Sequence, residues 1–302
     1  MPELPEVSLY LNALDARITG QPIERVRLRS PSLLKTFDPP VSELVGKRVR
    51  ATGRIGKRIA LHLDDDLHAV IHLMIAGRFQ WRDAGVPLPG KRAAGALDFP
   101  NGTLVLTEAS TKKRMSMWVV RGNEALRRLD PGGVEPLEVD FPGFQAALLR
   151  ENRTLKRALT DPRILSGIGN AHSDEILLAA RLSPVRLTRQ LSTAELRRLY
   201  EATRVSLREW TERLQAEAGG EFPKKVTAFH PAMAAHGKFG KPCPRCGTPI
   251  QRIVYASRET NYCPECQTGG RLLADRALSR LLRRDWPRTL EELEAIRRQD
   301  TA

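Results

Sequence analysis

The sequence predicts an α+β multidomain chain. Three observations predict it: short alternating or apolar runs between turn signals from Ile23 to Val120, helical spacing from about residue 143 to 217, and four cysteines confined to Cys243–Cys266. At 302 residues the chain is long for one core and suits two domains plus a small module, at roughly 100–200 residues per domain.

Residues 4–18 place Leu4, Val7, Leu11, Leu14 and Ile18 at three- and four-residue steps, one face of a helix that tolerates Pro5 in its first turn and stops at Gly20. The runs Ile59–Leu63, Ala69–Leu73 and Thr103–Leu106 then lie between Asp64-Asp65-Asp66, Pro89-Gly90 and Asn101-Gly102 turn signals, the pattern of an antiparallel sandwich or barrel. Asp130–Pro136 reads as linker. Helical periods follow over about 143–160, 170–182 and 192–217, then a zinc hairpin at about 241–267. In the basic tail, Leu273, Ala277 and Leu281 share a helical face beneath Arg276, Arg280, Arg283 and Arg284. Thr289 with Glu292 marks the start of one more short helix. The expected division is a catalytic domain at 1–130, a linker at 131–142, a helical DNA-binding domain at 143–235, a zinc finger at 236–268 and a basic helical tail at 269–302.

Lys and Arg number 49 against 35 Asp and Glu, a net +14, which favours a polyanionic partner: nucleic acid first, an anionic membrane surface second. No 18-residue apolar run exists, and the amino terminus carries acids where a secretory signal carries a basic region. A soluble cytoplasmic protein is therefore expected.

Cys243-Pro-Arg-Cys246 and Cys263-Pro-Glu-Cys266 are two knuckles separated by 16 residues, a spacing that closes four thiolates around one zinc. Such a site has no open coordination position, so the metal folds the segment and does no chemistry. Between the knuckles, Ile250–Tyr262 can form a hairpin with Ser257-Arg258-Glu259 at its tip. There Arg258 is either a phosphate ligand or simply solvated. In Leu159–Asn170 one helix ends, a turn containing Gly167 and Gly169 follows, and Asn170 can cap the next helix and meet a phosphate. Taken alone, the turn is equally an ordinary connection.

Pro2-Glu3-Leu4-Pro5-Glu6 sets two carboxylates beside a proline that becomes the chain terminus once Met1 is removed. A terminal secondary amine near the α-amino pKa of about 8 is partly unprotonated at neutral pH and can attack a sugar C1′ to form an iminium. Glu3 is placed to shuttle protons, and Glu6 to support it or bind the amine. The competing local reading is that both acids merely complement the helix dipole.

Taken together, Pro2–Val7, the Gly167–Asn170 turn followed by Ser173-Asp174-Glu175, and the paired knuckles with Arg258 and Gln267 resemble the formamidopyrimidine-DNA glycosylase and endonuclease VIII family over about residues 2–267. The resemblance implies an N-terminal antiparallel β-sandwich flanked by helices, a helix–two-turn–helix domain and a C-terminal four-cysteine zinc finger hairpin, with double-stranded damaged DNA between the halves. It implies a monomeric, nucleoid-associated base-excision repair enzyme. Pro2 is then the Schiff-base nucleophile, Glu3 the acid/base catalyst, Lys57 a DNA-contacting lysine at the catalytic centre, and Asn170 and Arg258 phosphate ligands. His72 is a further phosphate contact or a packed strand histidine.

Base flipping leaves a hole that a side chain must fill, and here the sequence departs from its relatives. His72–Gly77 puts Ile75 where the family pattern has its methionine wedge and Met74 where it has glycine. The Thr107–Met115 loop lacks the expected phenylalanine, leaving Arg114 and Met115 as replacements. Gly220–His236 is short for the loop that covers 8-oxoguanine, so another lesion is expected as the main substrate. Three competing functions stay open: a catalytically silent damaged-DNA-binding protein that keeps the clamp and finger, an enzyme that is chiefly an abasic-site lyase with little 8-oxoguanine activity, and a zinc-ribbon transcription or translation factor. The last of these has no use for the amino-terminal motif.

Overall fold

A computed structural model describes residues 1–227, 229–255, 258–274 and 286–299. Helix α1 (Leu4–Ile18) buries Leu4, Val7, Leu14 and Ile18, carries Pro5 in its first turn and ends at Thr19. Eight strands follow: β1 (Arg25–Leu28), β2 (Val49–Ile55), β3 (Arg58–Leu63), β4 (Leu67–His72), β5 (Gly77–Arg82), β6 (Ala93–Phe99), β7 (Gly102–Glu108) and β8 (Ser116–Arg121). All pair antiparallel, in two four-stranded sheets of order β2–β3–β4–β8 and β1–β6–β7–β5. Two sheets, rather than one closed one, make this a sandwich.

One apolar cluster joins Ile59, Leu61 and Ile71 of the first sheet, Leu97, Phe99, Leu104 and Leu106 of the second, and Val7, Tyr10 and Leu14 of α1. Each such leucine or isoleucine contributes about 1.5–3 kcal/mol on burial. The core therefore anchors α1, and with it the amino terminus. Between β2 and β3 the connection is the two residues Gly56-Lys57, with Ile55 paired to Arg58 and Gly56 at φ +60°, where a two-residue hairpin turn favours glycine.

The helical segment expected at 143–160 is two helices, α3 (Phe141–Leu149) and α4 (Leu155–Thr160), after a short α2 (Gly122–Arg127). Asp140 caps α3 by accepting from Gly143 N at 2.9 Å. The break has a distant cause. Leu155 N donates to Arg186 O, Lys156 N to Pro184 O and Thr188 N to Arg153 O, so the backbone at 153–156 bonds to the 184–188 segment rather than onward along a helix. Then come α5 (Asn170–Ala179) and α6 (Thr193–Ala218). Strands β9 (Gln251–Tyr255) and β10 (Arg258–Tyr262) form the expected hairpin, followed by α7 (Pro264–Thr268) and α8 (Leu290–Gln299).

The chain divides into two compact units, Met1–Gly133 with Arg208–Ala228, and Val134–Leu207 with Phe229–Ala302. This differs from a simple linker at 131–142. Val134 already bonds in the second unit, its N donating to Ile164 O and its O accepting from Ser166 N. In the tail, Glu292 N donates to Thr289 Oγ1, while the Glu292 carboxylate accepts from Arg288 N at 2.6 Å. Of the expected apolar face Leu273 is described, its N donating to the Tyr262 hydroxyl at 2.7 Å, whereas Ala277, Leu281 and the arginines from Arg276 to Arg284 lie outside the described residues. Among the described residues no helix is long and apolar enough to cross a membrane.

Candidate active site and nucleic-acid interface

In the first unit, the acids of the amino-terminal motif are drawn inside: Glu3 and Glu6 are each 2% exposed, and Pro2 is buried. The Glu6 carboxylate accepts the Glu3 backbone N–H at 2.8 Å, reaching back across the first turn of α1. The α-amine of Met1 is held below its ordinary value, first by burial, with the charges of Arg78 and Lys57 lowering it further against the raising effect of Glu3 and Glu6. Two acids and two cations thus share the field of the amino terminus. Sequence reasoning picked out Pro2, Glu3, Glu6 and Lys57 and missed Arg78, which sits in no motif.

His72 ends β4. Burial pushes its imidazole down to about 4, helped by the charges of Arg58 and Lys57, so near neutrality it is uncharged. Its Nε2 is buried with no hydrogen-bond partner among the described residues. Any contact it makes to a phosphate is that of a neutral donor. At the next turn Ile75 is 62% exposed, and Arg78 braces the turn by donating to Ile75 O at 3.0 Å and Gly77 O at 2.6 Å. Met74 takes φ +54°, the left-handed region where glycine is favoured. A Cβ on Gly77 would meet Leu73 O at 2.2 Å, so this turn closes only with glycine there.

The loop after β7 corrects one expectation. Arg114 is exposed, with its N–H donating to Glu108 Oε1 at 2.8 Å, but Met115 is 2% exposed and belongs to the sandwich core. Met115 therefore packs inside the sandwich instead of standing out from the loop. Of the two, only Arg114 is exposed, in a run with Lys112 and Lys113.

In the second unit, Gly167 takes φ +79° and turns the chain toward α5. Asn170 is the first residue of that helix and not its cap, which is Gly169. The Asn170 side chain instead donates through Nδ2 to Glu259 O at 2.9 Å, tying the turn to the hairpin. Arg258 is not at the hairpin tip: it opens β10, paired with Tyr255, while its side chain and Ser257 lie outside the described residues.

The sulfurs of Cys243, Cys246, Cys263 and Cys266 lie within 4.8 Å of one another, and a zinc tetrahedron with bonds of about 2.3 Å needs them roughly 3.8 Å apart. Four soft donors and no other ligand type fit structural zinc. Burial pushes the Cys263 thiol up, and Cys266 to about 11, so a cation is what would keep them ionised.

Family models match three stretches: the formamidopyrimidine-DNA glycosylase N-terminal domain at residues 1–117, its H2TH domain at 133–217, and a zinc finger found in FPG and IleRS at 240–269. The formamidopyrimidine-DNA glycosylase of Heliobacterium modesticaldum is 35% identical, covering 88% of this chain and all of that relative. That of Thermus thermophilus is 36% identical over 89% of this chain and all of its own length. Among solved structures, the Lactococcus lactis enzyme bound to DNA containing FAPY-dG matches with a TM-score of 0.78 and 27% identity, covering 88% of this chain and 100% of that one.

Proposed function

The chain belongs to the formamidopyrimidine-DNA glycosylase family, and from that premise we propose which of its residues carry the reaction. It is a DNA repair enzyme of base excision, a bifunctional glycosylase and abasic-site lyase acting on oxidised bases, with one structural zinc on Cys243, Cys246, Cys263 and Cys266.

Pro2 is the nucleophile once Met1 is removed, because within the Met1–Pro2 peptide bond its nitrogen has no basic lone pair. The freed nitrogen attacks C1′ of the damaged nucleotide and loses its own proton. The C1′–N bond to the base breaks, and the departing base takes a proton from Glu3. Protonation of O4′ then opens the sugar ring, leaving an iminium between Pro2 and C1′. That cation acidifies C2′. Loss of a C2′ proton expels the 3′ phosphate, and loss of a C4′ proton then expels the 5′ phosphate.

What supports this reading is the setting of the amino terminus: burial and the charges of Arg78 and Lys57 lower the Met1 amine, and the Pro2 amine freed by removal of Met1 would lie in those same surroundings beside buried Glu3. Glu6 supports Glu3 through its backbone N–H. Lys57, His72, Asn170 and Arg258 bind backbone phosphates, and Ile75 with Arg114 enters the space left by the flipped base. On this reading catalysis belongs to residues 1–130 and DNA holding to 143–235 and 236–268. The protein acts as a monomer on double-stranded DNA, in the cytoplasm at the nucleoid.

The test is product analysis. Processed enzyme and a duplex with one oxidised base should give free base and a one-nucleotide gap with phosphate on both flanking ends. Binding without base release would favour the silent damage-binding protein instead.

A further inference from the structure

We infer that Asp174 is a positioning residue that locks the Asn170 turn and the zinc hairpin into one phosphate clamp. Asp174 is fully buried on α5, and its carboxylate collects three donors from three other segments. Oδ1 accepts Lys156 Nζ of α4 at 2.5 Å; Oδ2 accepts His236 Nδ1 at 2.8 Å and Asn261 Nδ2 of β10 at 3.3 Å. A carboxylate can only accept, so His236 carries its hydrogen on Nδ1.

The same lysine makes the link to the clamp. Lys156 Nζ also donates to Asn170 O at 2.7 Å, and Asn170 Nδ2 donates to Glu259 O on β10 at 2.9 Å. Both ends of Asn170 are therefore held by groups that Asp174 holds: its backbone through Lys156, its side-chain amide through the strand carrying Asn261. The neighbouring Glu175 secures the segment that bears His236, accepting Ala234 N at 2.9 Å, Ala235 N at 2.8 Å and His236 N at 2.9 Å.

A buried carboxylate costs several kcal/mol to desolvate, and one cation with three hydrogen bonds offsets that only in a single geometry. A carboxylate satisfied in one arrangement fixes the aim of the groups that donate to it. Without it, Asn170 would sample other rotamers and the hairpin would lose one of its ties to α5. The inference rests on the reading of Asn170 as a phosphate ligand.

A double-mutant cycle tests it on a duplex bearing a tetrahydrofuran abasic-site analogue, which cannot form a Schiff base and so keeps Pro2 chemistry out of the measurement. Asn170→Ala in the otherwise unchanged chain should weaken binding about tenfold or more. In an Asp174→Asn background, which keeps the volume but turns a donor toward donors, the same change should cost less than about threefold. Each variant is checked for one zinc per chain and a native circular dichroism spectrum. If Asp174→Asn does not fold, Asn261→Ala, which removes one of the three donors, replaces it in the cycle with the same expectation. Additive effects would overturn the coupling while leaving Asn170 a ligand. No effect of Asn170→Ala alone would overturn the reading of Asn170 and the clamp with it, whatever borohydride trapping at Pro2 shows.

Discussion

The Glu6 carboxylate accepts the backbone N–H of Glu3 at 2.8 Å, so the second acid of the amino-terminal motif fixes the backbone of the first. Glu6→Ala frees that N–H and should slow covalent trapping on abasic DNA by about 10–100-fold, since a shift of about 1 Å at a reacting group costs that much. Glu6→Gln keeps an acceptor in place and should retain most of the rate. Single-turnover trapping separates them, and equal losses would show that charge matters rather than position.

Arg78 lowers the Met1 amine, and on the proposed mechanism the freed Pro2 amine one residue on takes up the same field, so removing the Arg78 charge should raise the pKa of the nucleophile. Only the unprotonated amine attacks. The ascending limb of the trapping rate against pH should therefore move to higher pH in Arg78→Gln and to lower pH in Glu6→Gln, because Glu6 raises the Met1 amine where Arg78 lowers it. A limb unmoved in both variants would separate this amine from the chemistry.

His72 ties stability to pH. Its folded value of about 4 lies below an unfolded value of about 6.5, so the unfolded chain binds the proton first. The stabilising difference is complete above about pH 6.5 and is lost as pH falls toward 4, up to about 3 kcal/mol in all. Thermal melts of the wild-type chain should thus decline more steeply from pH 7 to 4.5 than those of His72→Gln. Parallel declines would mean that the imidazole titrates normally.

These expectations differ in how far the sequence reveals them. The spacing of Leu4, Val7, Leu14 and Ile18 records which side of α1 is buried, and alternation in β3 and β7 records the sheet faces, so both were legible. The break between α3 and α4 was not, because it depends on carbonyls of Pro184 and Arg186 some thirty residues away. The same distance hides Arg78 beside the amino terminus and His236 on Asp174. Ser173-Asp174-Glu175 was visible as a pattern, yet nothing local says that Asp174 gathers three donors. Met115 misled because an apolar residue after a basic loop reads equally as wedge or core.

Ile75, 62% exposed on a braced turn, should matter for base flipping and little for a site already lacking its base. Ile75→Ala is expected to slow base release from a duplex about tenfold or more while leaving trapping at a preformed abasic site within about threefold. Equal losses on both substrates would remove the wedge role. A panel of oxidised purines, ring-opened purines and oxidised pyrimidines should rank 8-oxoguanine below the best substrate.

Lys57 and Asn170 should differ under salt. Each phosphate neutralised by a cation steepens the fall of log affinity with log salt by about 0.9. Lys57→Ala should lower that slope by about 1 and Asn170→Ala should leave it unchanged while weakening binding at every salt concentration. The reverse result would exchange their roles.

The most direct measurement is borohydride trapping of Met1-processed enzyme on abasic-site DNA, followed by mass mapping of the adducted peptide. One adduct is expected, on the nitrogen of Pro2, and none in chains that keep Met1. An adduct on a lysine, or trapping undiminished with Met1 in place, would contradict the Pro2 mechanism.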